Sequence, residues 1–180
     1  MSDKGVLTSW VPKYEAWCEQ AQPLMEQGKG KEAMSSYPWF TTEGEPFVRL
    51  GKPLSQACVG LLTTGGYSIQ GQHEPFTGKP DFSATAPEVH LIPLDADRSK
   101  LRIDHRGYDH RFAEEDYNAN LPLDRLREMI DNGEIGSIAN DTLAMMGLIT
   151  NLKPLIEETI PQIVDRFRSD GVEAALLVPS

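Results

Sequence analysis

The sequence predicts an α/β fold, a doubly wound and mainly parallel sheet of Rossmann-like type, incomplete at its C-terminal side. Three observations carry this. Cys58–Thr63 is a short, continuous apolar run that passes directly into Thr63-Thr64-Gly65-Gly66, the outline of a buried strand entering a first βα crossing. Lys153–Arg168 repeats apolar side chains at helical spacing, through Leu155/Ile156, Thr159/Ile160, Ile163/Val164 and Phe167. Asp170-Gly171 stops that helix, and Val172–Val178 follows as a buried strand, so helix, turn and strand make half of a βαβ unit. Pro179-Ser180 comes immediately after this strand, where a doubly wound sheet places a loop and its next helix. For that reason the sheet reads as interrupted there.

The other elements follow in chain order. Residues 1–50 read as an N-terminal helix with an irregular aromatic extension, and 51–180 as the α/β domain. Tyr14, Trp17, Cys18, Ala21 and Leu24/Met25 form one stripe and predict a helix over Tyr14–Gln27, with Pro23 kinking or ending it. Ser35–Leu50 is aromatic and proline-interrupted; Tyr37, Trp39, Phe40 and Phe47 are expected to clamp the helix to the core rather than to stack on a ligand. Tyr67–Lys79 reads as a long polar loop. Val89–Pro93 and Leu101–Ile103 are short strand candidates; His90 alternates with apolar neighbours, as a satisfied structural histidine does. Pro122 opens a helix over Leu123–Asn132 with Leu123, Leu126, Met129 and Ile130 on one face, and Gly133 stops it. Gly136–Ala139 reads as a turn, and Met145 and Met146 as core packing.

Composition narrows the function. The 180 residues carry a formal net charge of −10, with 39% hydrophobic residues. That balance disfavours a nucleic-acid backbone or an anionic membrane as partner, since both need a basic surface. No apolar run approaches membrane-spanning length, and the first residues lack a basic and then apolar leader pattern. Cys18 and Cys58 are far apart, which suggests a reducing, cytoplasmic setting rather than a disulfide framework.

The densest chemistry is in Asp104–His110, where Asp104, His105, Asp109 and His110 fall within seven residues beside Arg102, Arg106 and Arg111. Three readings stay open. The cluster is a metal site with Asp104, His105 and His110 as candidate ligands. Alternatively, His105 or His110 is an acid–base group oriented by a neighbouring Asp. Or the charges only cap turns and pair with the arginines. Thr63, Thr64, Gly65 and Gly66 form a second candidate, a strand-end loop whose N–H and hydroxyl groups would hold a small carboxylate.

Several motifs together are similar to a known family. They are Lys52–Ala57, Leu62–Gly66, Leu101–Ile103 with His105, Tyr108-Asp109-His110, Asn118, Pro122–Glu128, Gly133–Ser137 and Met146-Gly147. In order and spacing, from about Gly51 to Ser180, the sequence resembles the glycine/sarcosine/betaine reductase selenoprotein B family, substrate-specific subunits related to a D-proline reductase subunit. The first fifty residues match poorly, and Ile138–Leu143 lacks the basic and histidine residues of the family pattern.

The resemblance implies reductive cleavage of a carbon–heteroatom bond in a small, amino-acid-like substrate. It implies a selenocysteine or cysteine redox pair just beyond Ser180, so that this chain alone is inactive in redox chemistry. It implies His105, Asp109 and His110 as catalytic groups, with Tyr108 and Thr63–Gly66 binding substrate. Other reductase subunits or a thiol reductant are the expected partners, and self-association is possible. The alternatives are a non-redox module that binds a small carboxylate, and a metal-dependent hydrolase centred on His105 and His110.

Overall fold

A computed structural model describes residues 3–41, 48–77 and 85–180. The chain divides into two compact units, residues 1–48 with 82–84, and residues 49–81 with 85–180. Phe47 and the part of Tyr67–Lys79 from residue 78 lie outside the described residues.

In the first unit, α1 spans Asp3–Glu26 and α2 spans Gly30–Ser35. Helix α1 begins well before Tyr14 and runs through both Pro12 and Pro23. An internal proline costs a helix about 3 kcal/mol. The stripe Leu7, Trp10, Tyr14, Trp17 and Ala21, all buried, offsets that cost by packing. The Trp10 ring stacks on Tyr14 and meets Tyr37 and Phe40 edge-on, and Trp17 Nε1 donates to the Ala33 carbonyl at 2.9 Å. The aromatic segment thus packs onto α1, except that Trp39 is 74% exposed.

The second unit is mixed α/β with a mainly parallel sheet. Its strands are β1 Cys58–Thr63, β2 Tyr67–Ile69, β3 His90–Pro93, β4 Leu101–Ile103, β5 Ser137–Ile138, β6 Asp141–Ala144 and β7 Ala174–Val178. Its helices are α3 Arg111–Glu115, α4 Leu123–Asp131, the short α5 Leu152–Pro154 and α6 Ile160–Ser169, with a π-helical turn Leu155–Thr159 joining the last two. β1 is central. It pairs in parallel with β7 from Val59↔Ala174 to Thr63↔Val178, and on its other side with β5 and then β6. β3 pairs antiparallel with β6 at the far edge.

The pleat of β1 separates two cores. Val59 and Leu61 pack with Leu123 and Leu126 of α4 and with Ile138. Leu62 packs with Leu143, Ile163 and Phe167, so α6 covers the opposite face. Gly60 points toward α6, where an added Cβ would lie 2.8 Å from Phe167 and 2.9 Å from Val172.

Four sequence expectations are corrected. Tyr67–Ile69 is not loop; it forms a separate two-stranded sheet with Leu101–Ile103, which therefore does not extend the main sheet. Gly136–Ala139 contains a parallel strand, and Asp141–Ala144 continues beside β1 after a break at residues 139–140, the polar Asp141 and Thr142 having hidden its strand character. The helix over Lys153–Arg168 contains a π-helical turn. The strand over Val172–Val178 is not buried: among the described residues β7 pairs only with β1, leaving Leu176 38% and Leu177 62% exposed.

No helix among the described residues is long and apolar enough to cross a membrane. Replacing Gly60 by Ala is expected to destabilise the second unit by about 1–3 kcal/mol, since the methyl group overpacks against Phe167. Urea denaturation checks it: a lower midpoint at unchanged slope is expected, and an unchanged midpoint would show that the sheet and α6 are not in close contact there.

Candidate functional site

Parallel strands bring their carboxyl ends to one side of a sheet, and here the ends of β1, β6 and β7 converge. The loop after β1 is stitched to both neighbours. Thr64 N–H donates to the Val178 carbonyl at 3.0 Å, Gly66 N–H to the Met145 carbonyl at 3.0 Å, and Gly147 N–H to the Thr64 carbonyl at 3.0 Å. Gly65 N–H is taken by Thr63 Oγ1 at 3.0 Å, while the Thr63 hydroxyl donates to the Asn120 carbonyl at 2.7 Å. The N–H groups of Thr64, Gly65 and Gly66 are thus spent on the fold. These residues build the floor on which the histidine loop rests, and their three N–H groups already have partners within the fold.

The floor holds His105. β4 runs antiparallel to β2, and Asp104 N–H donates to the Gly66 carbonyl at 2.9 Å, which lays the chain along the loop. Gly66 has φ +71°, and a Cβ there would lie 2.8 Å from His105 Cβ. Added Cβ atoms at Gly107 and Gly147 would lie 2.7 Å and 3.2 Å from the imidazole. Three glycines therefore admit the ring, which is 4% exposed. His105 Nδ1 accepts the Gly107 N–H at 2.9 Å, so in the neutral ring the proton sits on Nε2. That Nε2 is buried without a hydrogen-bond partner. Burial, and secondarily the charge of His110, lowers the His105 pKa below the ordinary imidazole value.

Tyr108 stands over the ring. It meets His105 edge-on at 5.1 Å and His110 at 5.8 Å. Its hydroxyl donates to the Gly65 carbonyl at 3.3 Å and accepts from Asn120 Nδ2 at 2.7 Å. Burial raises the Tyr108 pKa, partly opposed by the Asn120 hydrogen bond. Asn120 is the residue that sequence reasoning missed. It is 7% exposed, its Oδ1 accepts from the Tyr67 hydroxyl, and its Nδ2 also reaches Ser180 Oγ at 3.2 Å. Ser180 N–H donates to Thr64 Oγ1 at 3.0 Å, so the second residue after β7 lands on the same floor. Asn118, which the motif comparison singles out, instead positions the start of α4, its Oδ1 accepting the Asp124 N–H at 2.9 Å. The only sequence signal for Asn120 is an amide two residues before the proline that opens α4.

The remaining cluster residues are not brought together. The Asp104 carboxylate accepts the Phe76 N–H at 3.2 Å. Asp109 is exposed and clamped by Arg111 at 2.6 Å, whose hydrogen bonds hold its pKa below the usual carboxylate range. The carboxylate that meets His110 is Glu114, at 2.8 Å one helical turn on, and not Asp109. Among the described residues, no group of three His, Cys, Asp or Glu side chains is placed to hold one metal ion. Cys18 and Cys58 are free thiols, one in each unit.

The second unit is mixed α/β with a mainly parallel sheet, and His105, Tyr108, Asn120 and Ser180 meet beside the loop after β1. Residues 20–180 match the family described as glycine/sarcosine/betaine reductase selenoprotein B, and the chain belongs to that family. It is 31% identical over 126 residues to the D-proline reductase subunit gamma of Acetoanaerobium sticklandii, covering 70% of this chain and 50% of that subunit. It is 25% identical over 157 residues to the glycine reductase complex component B subunit gamma of Peptoclostridium acidaminophilum, covering 86% and 35%. It is 24% identical over 180 residues to the sarcosine reductase complex component B subunit beta of the same organism, covering 96% and 39%. The chain thus spans half or less of the length of these relatives. No solved structure matches it.

His105 is expected to titrate below 6.5 and to carry its neutral-state proton on Nε2. Because its folded pKa is depressed, its contribution to stability is present above about pH 6.5 and is lost as pH falls through the folded value. Long-range proton–nitrogen NMR correlations across a pH series check both; a ring titrating above 6.5, or protonated at Nδ1 when neutral, would contradict this geometry.

Proposed function

We propose that this chain is the substrate-binding part of a selenoprotein B-type reductase subunit. The reaction is reductive cleavage of a carbon–heteroatom bond in a small, amino-acid-like substrate, by a selenol or thiol nucleophile placed just after Ser180. The observation that carries the reading is the convergence of His105, Tyr108, Asn120 and Ser180 on the loop after β1, with one buried imidazole nitrogen left unpaired. The names of the relatives support the reaction class. A doubly wound, Rossmann-like sheet belongs to the same proposal, and the placement of α4 and α6 on opposite faces supports it.

Each residue takes a role from its surroundings. His105, neutral and locked in one tautomer, is a hydrogen-bond donor through Nε2 rather than the general acid expected from sequence. His110, half-buried and held by Glu114, is the imidazole placed to exchange a proton with solvent. Tyr108 separates the two rings and fixes the height of the floor through Asn120. Asp109 contributes to the turn before α3. Cys18 and Cys58 are free thiols, and in this reading the redox pair lies elsewhere and the chain works with other reductase subunits or a thiol reductant. The apolar edge at β7, which among the described residues pairs only with β1, is the surface for pairing with another polypeptide segment or subunit. The free thiols fit a reducing cytoplasm.

Two measurements test the proposal. In the full-length subunit, alkylation of selenol and thiol groups followed by peptide mass mapping is expected to label a residue in the loop after β7; labelling only at Cys18 and Cys58 would overturn the nucleophile's placement. In NMR titrations with D-proline and glycine, one of them is expected to shift the His105 and Tyr108 resonances, and His105→Leu to weaken that binding by roughly ten-fold, as loss of one hydrogen bond to a charged group does. Binding unaffected by His105→Leu would remove this residue from the site.

A further inference from the structure

His73 and His90 form a second histidine pair that the site above does not use. His90, on β3, is 3% exposed. Its Nδ1 donates to the Tyr67 carbonyl at 3.2 Å, and its Nε2 lies 3.4 Å from Glu88 Oε1 without a hydrogen-bond partner. Two rings from the segment after β2 stack on it: His73 at 4.4 Å and 17°, and Phe76 at 4.0 Å and 22°. His73 also closes the end of β2, its Nδ1 accepting the Ile69 N–H at 3.1 Å. Phe76 N–H donates to Asp104 Oδ2 at 3.2 Å, beside His105. Residues 70–77 therefore lie across β3 as a strap, fastened by two stacked rings and by hydrogen bonds at each end.

One fastening depends on protonation. His73 Nδ1 accepts a hydrogen bond only while it carries no proton, and a protonated His73 would place a cation flat against the His90 ring. The charged groups around His73 are His90 on β3, Glu88 just before it, Glu74 in the strap and Arg102 on β4. Arg102 lines the same cleft, of about 490 Å³, with Gln70, Gln72 and His73. Its guanidinium donates to Gln70 Oε1 and to the carbonyls of Ser99 and Leu101, and Glu74 lines the same cleft. Burial, then His90, lowers the His73 pKa from the ordinary 6.5, while Glu88 opposes them. A depressed folded pKa means that the strap's contribution is whole above about pH 6.5 and is lost as pH falls through the folded value.

We propose that residues 70–77 are an acid-released strap: protonation of His73 frees its ring from the Ile69 N–H and from His90 while the backbone bonds of Gln72 and His73 to the Ile69 carbonyl remain as a hinge, lifts Phe76, and frees the Asp104 carboxylate next to His105. The proposal is independent of the reductase reading and needs no part of the chain beyond the described residues.

Amide hydrogen exchange on the 180-residue chain tests it at about pH 7.5 and about pH 5, expressed as protection relative to unstructured amides. Protection at Ile69 and Phe76 is expected to fall about ten-fold or more at the lower pH while Leu61 in β1 keeps its protection. His73→Asn, whose Oδ1 stands near the position of Nδ1 and does not titrate, is expected to hold protection at both pH values. Unchanged protection in the wild-type chain, or an equal loss in the asparagine variant, would overturn the proposal. Independently of any variant, the His73 Cε1–H resonance and the Phe76 amide must move with one common midpoint; two separate midpoints would overturn it as well.

Discussion

The packing of three glycines around one imidazole is the constraint on which the site depends. Gly66, Gly107 and Gly147 come from three different loops, and each leaves out a Cβ that would meet His105. The ring is thus the piece against which the β1 loop, the turn after β4 and the segment after β6 are fitted. Burial without a hydrogen-bonded carboxylate disfavours the imidazolium form, because an unpaired buried cation is costlier than a neutral ring. The Gly107 N–H then decides the tautomer. Shape, charge and proton position follow from one packing arrangement.

Convergence over long sequence distances follows from the strand directions. Thr64, His105, Asn120 and Ser180 lie far apart in the chain, yet three parallel strands deliver their ends to one side of the sheet. β4 reaches the same place by a different route, through its antiparallel pairing with β2 in a small separate sheet. The small sheet therefore brings the histidine loop to the ends of the large one.

Legibility in the sequence followed periodicity. β1 and β4 fall at Cys58–Thr63 and Leu101–Ile103, as their apolar runs indicate, and α4 follows Pro122. β6 was hidden because Asp141 and Thr142 break its apolar run, although Thr142 is fully buried. The exposure of β7 was also hidden, since a run of apolar residues carries no information on which strand edge finds a neighbour. Within Asp104–His110 the loop has no period, so nothing in it says that His105 turns inward while Asp109 turns out to Arg111. Asn120 was illegible for another reason. Its partners Tyr108, Tyr67 and Ser180 are 12, 53 and 60 residues away, and an amide's value as a hub shows only when they meet.

The π-helical turn Leu155–Thr159 has a consequence for how α6 meets the sheet. Pro161 sits in the first turn of α6, and a proline ring clashes with the carbonyl four residues before it in a regular helix. The wider turn accommodates the ring. It also resets helical phase: Leu155, Thr159, Ile163 and Phe167 all pack inward at four-residue intervals. On a straight α-helix each such interval drifts by about 40°, enough over three steps to carry the last side chain off the sheet. The extra residue in the turn absorbs part of that drift and delivers Phe167 to Gly60. A one-residue irregularity in a helix thus acts as a gear tooth, setting the rotation at which an entire layer engages the sheet.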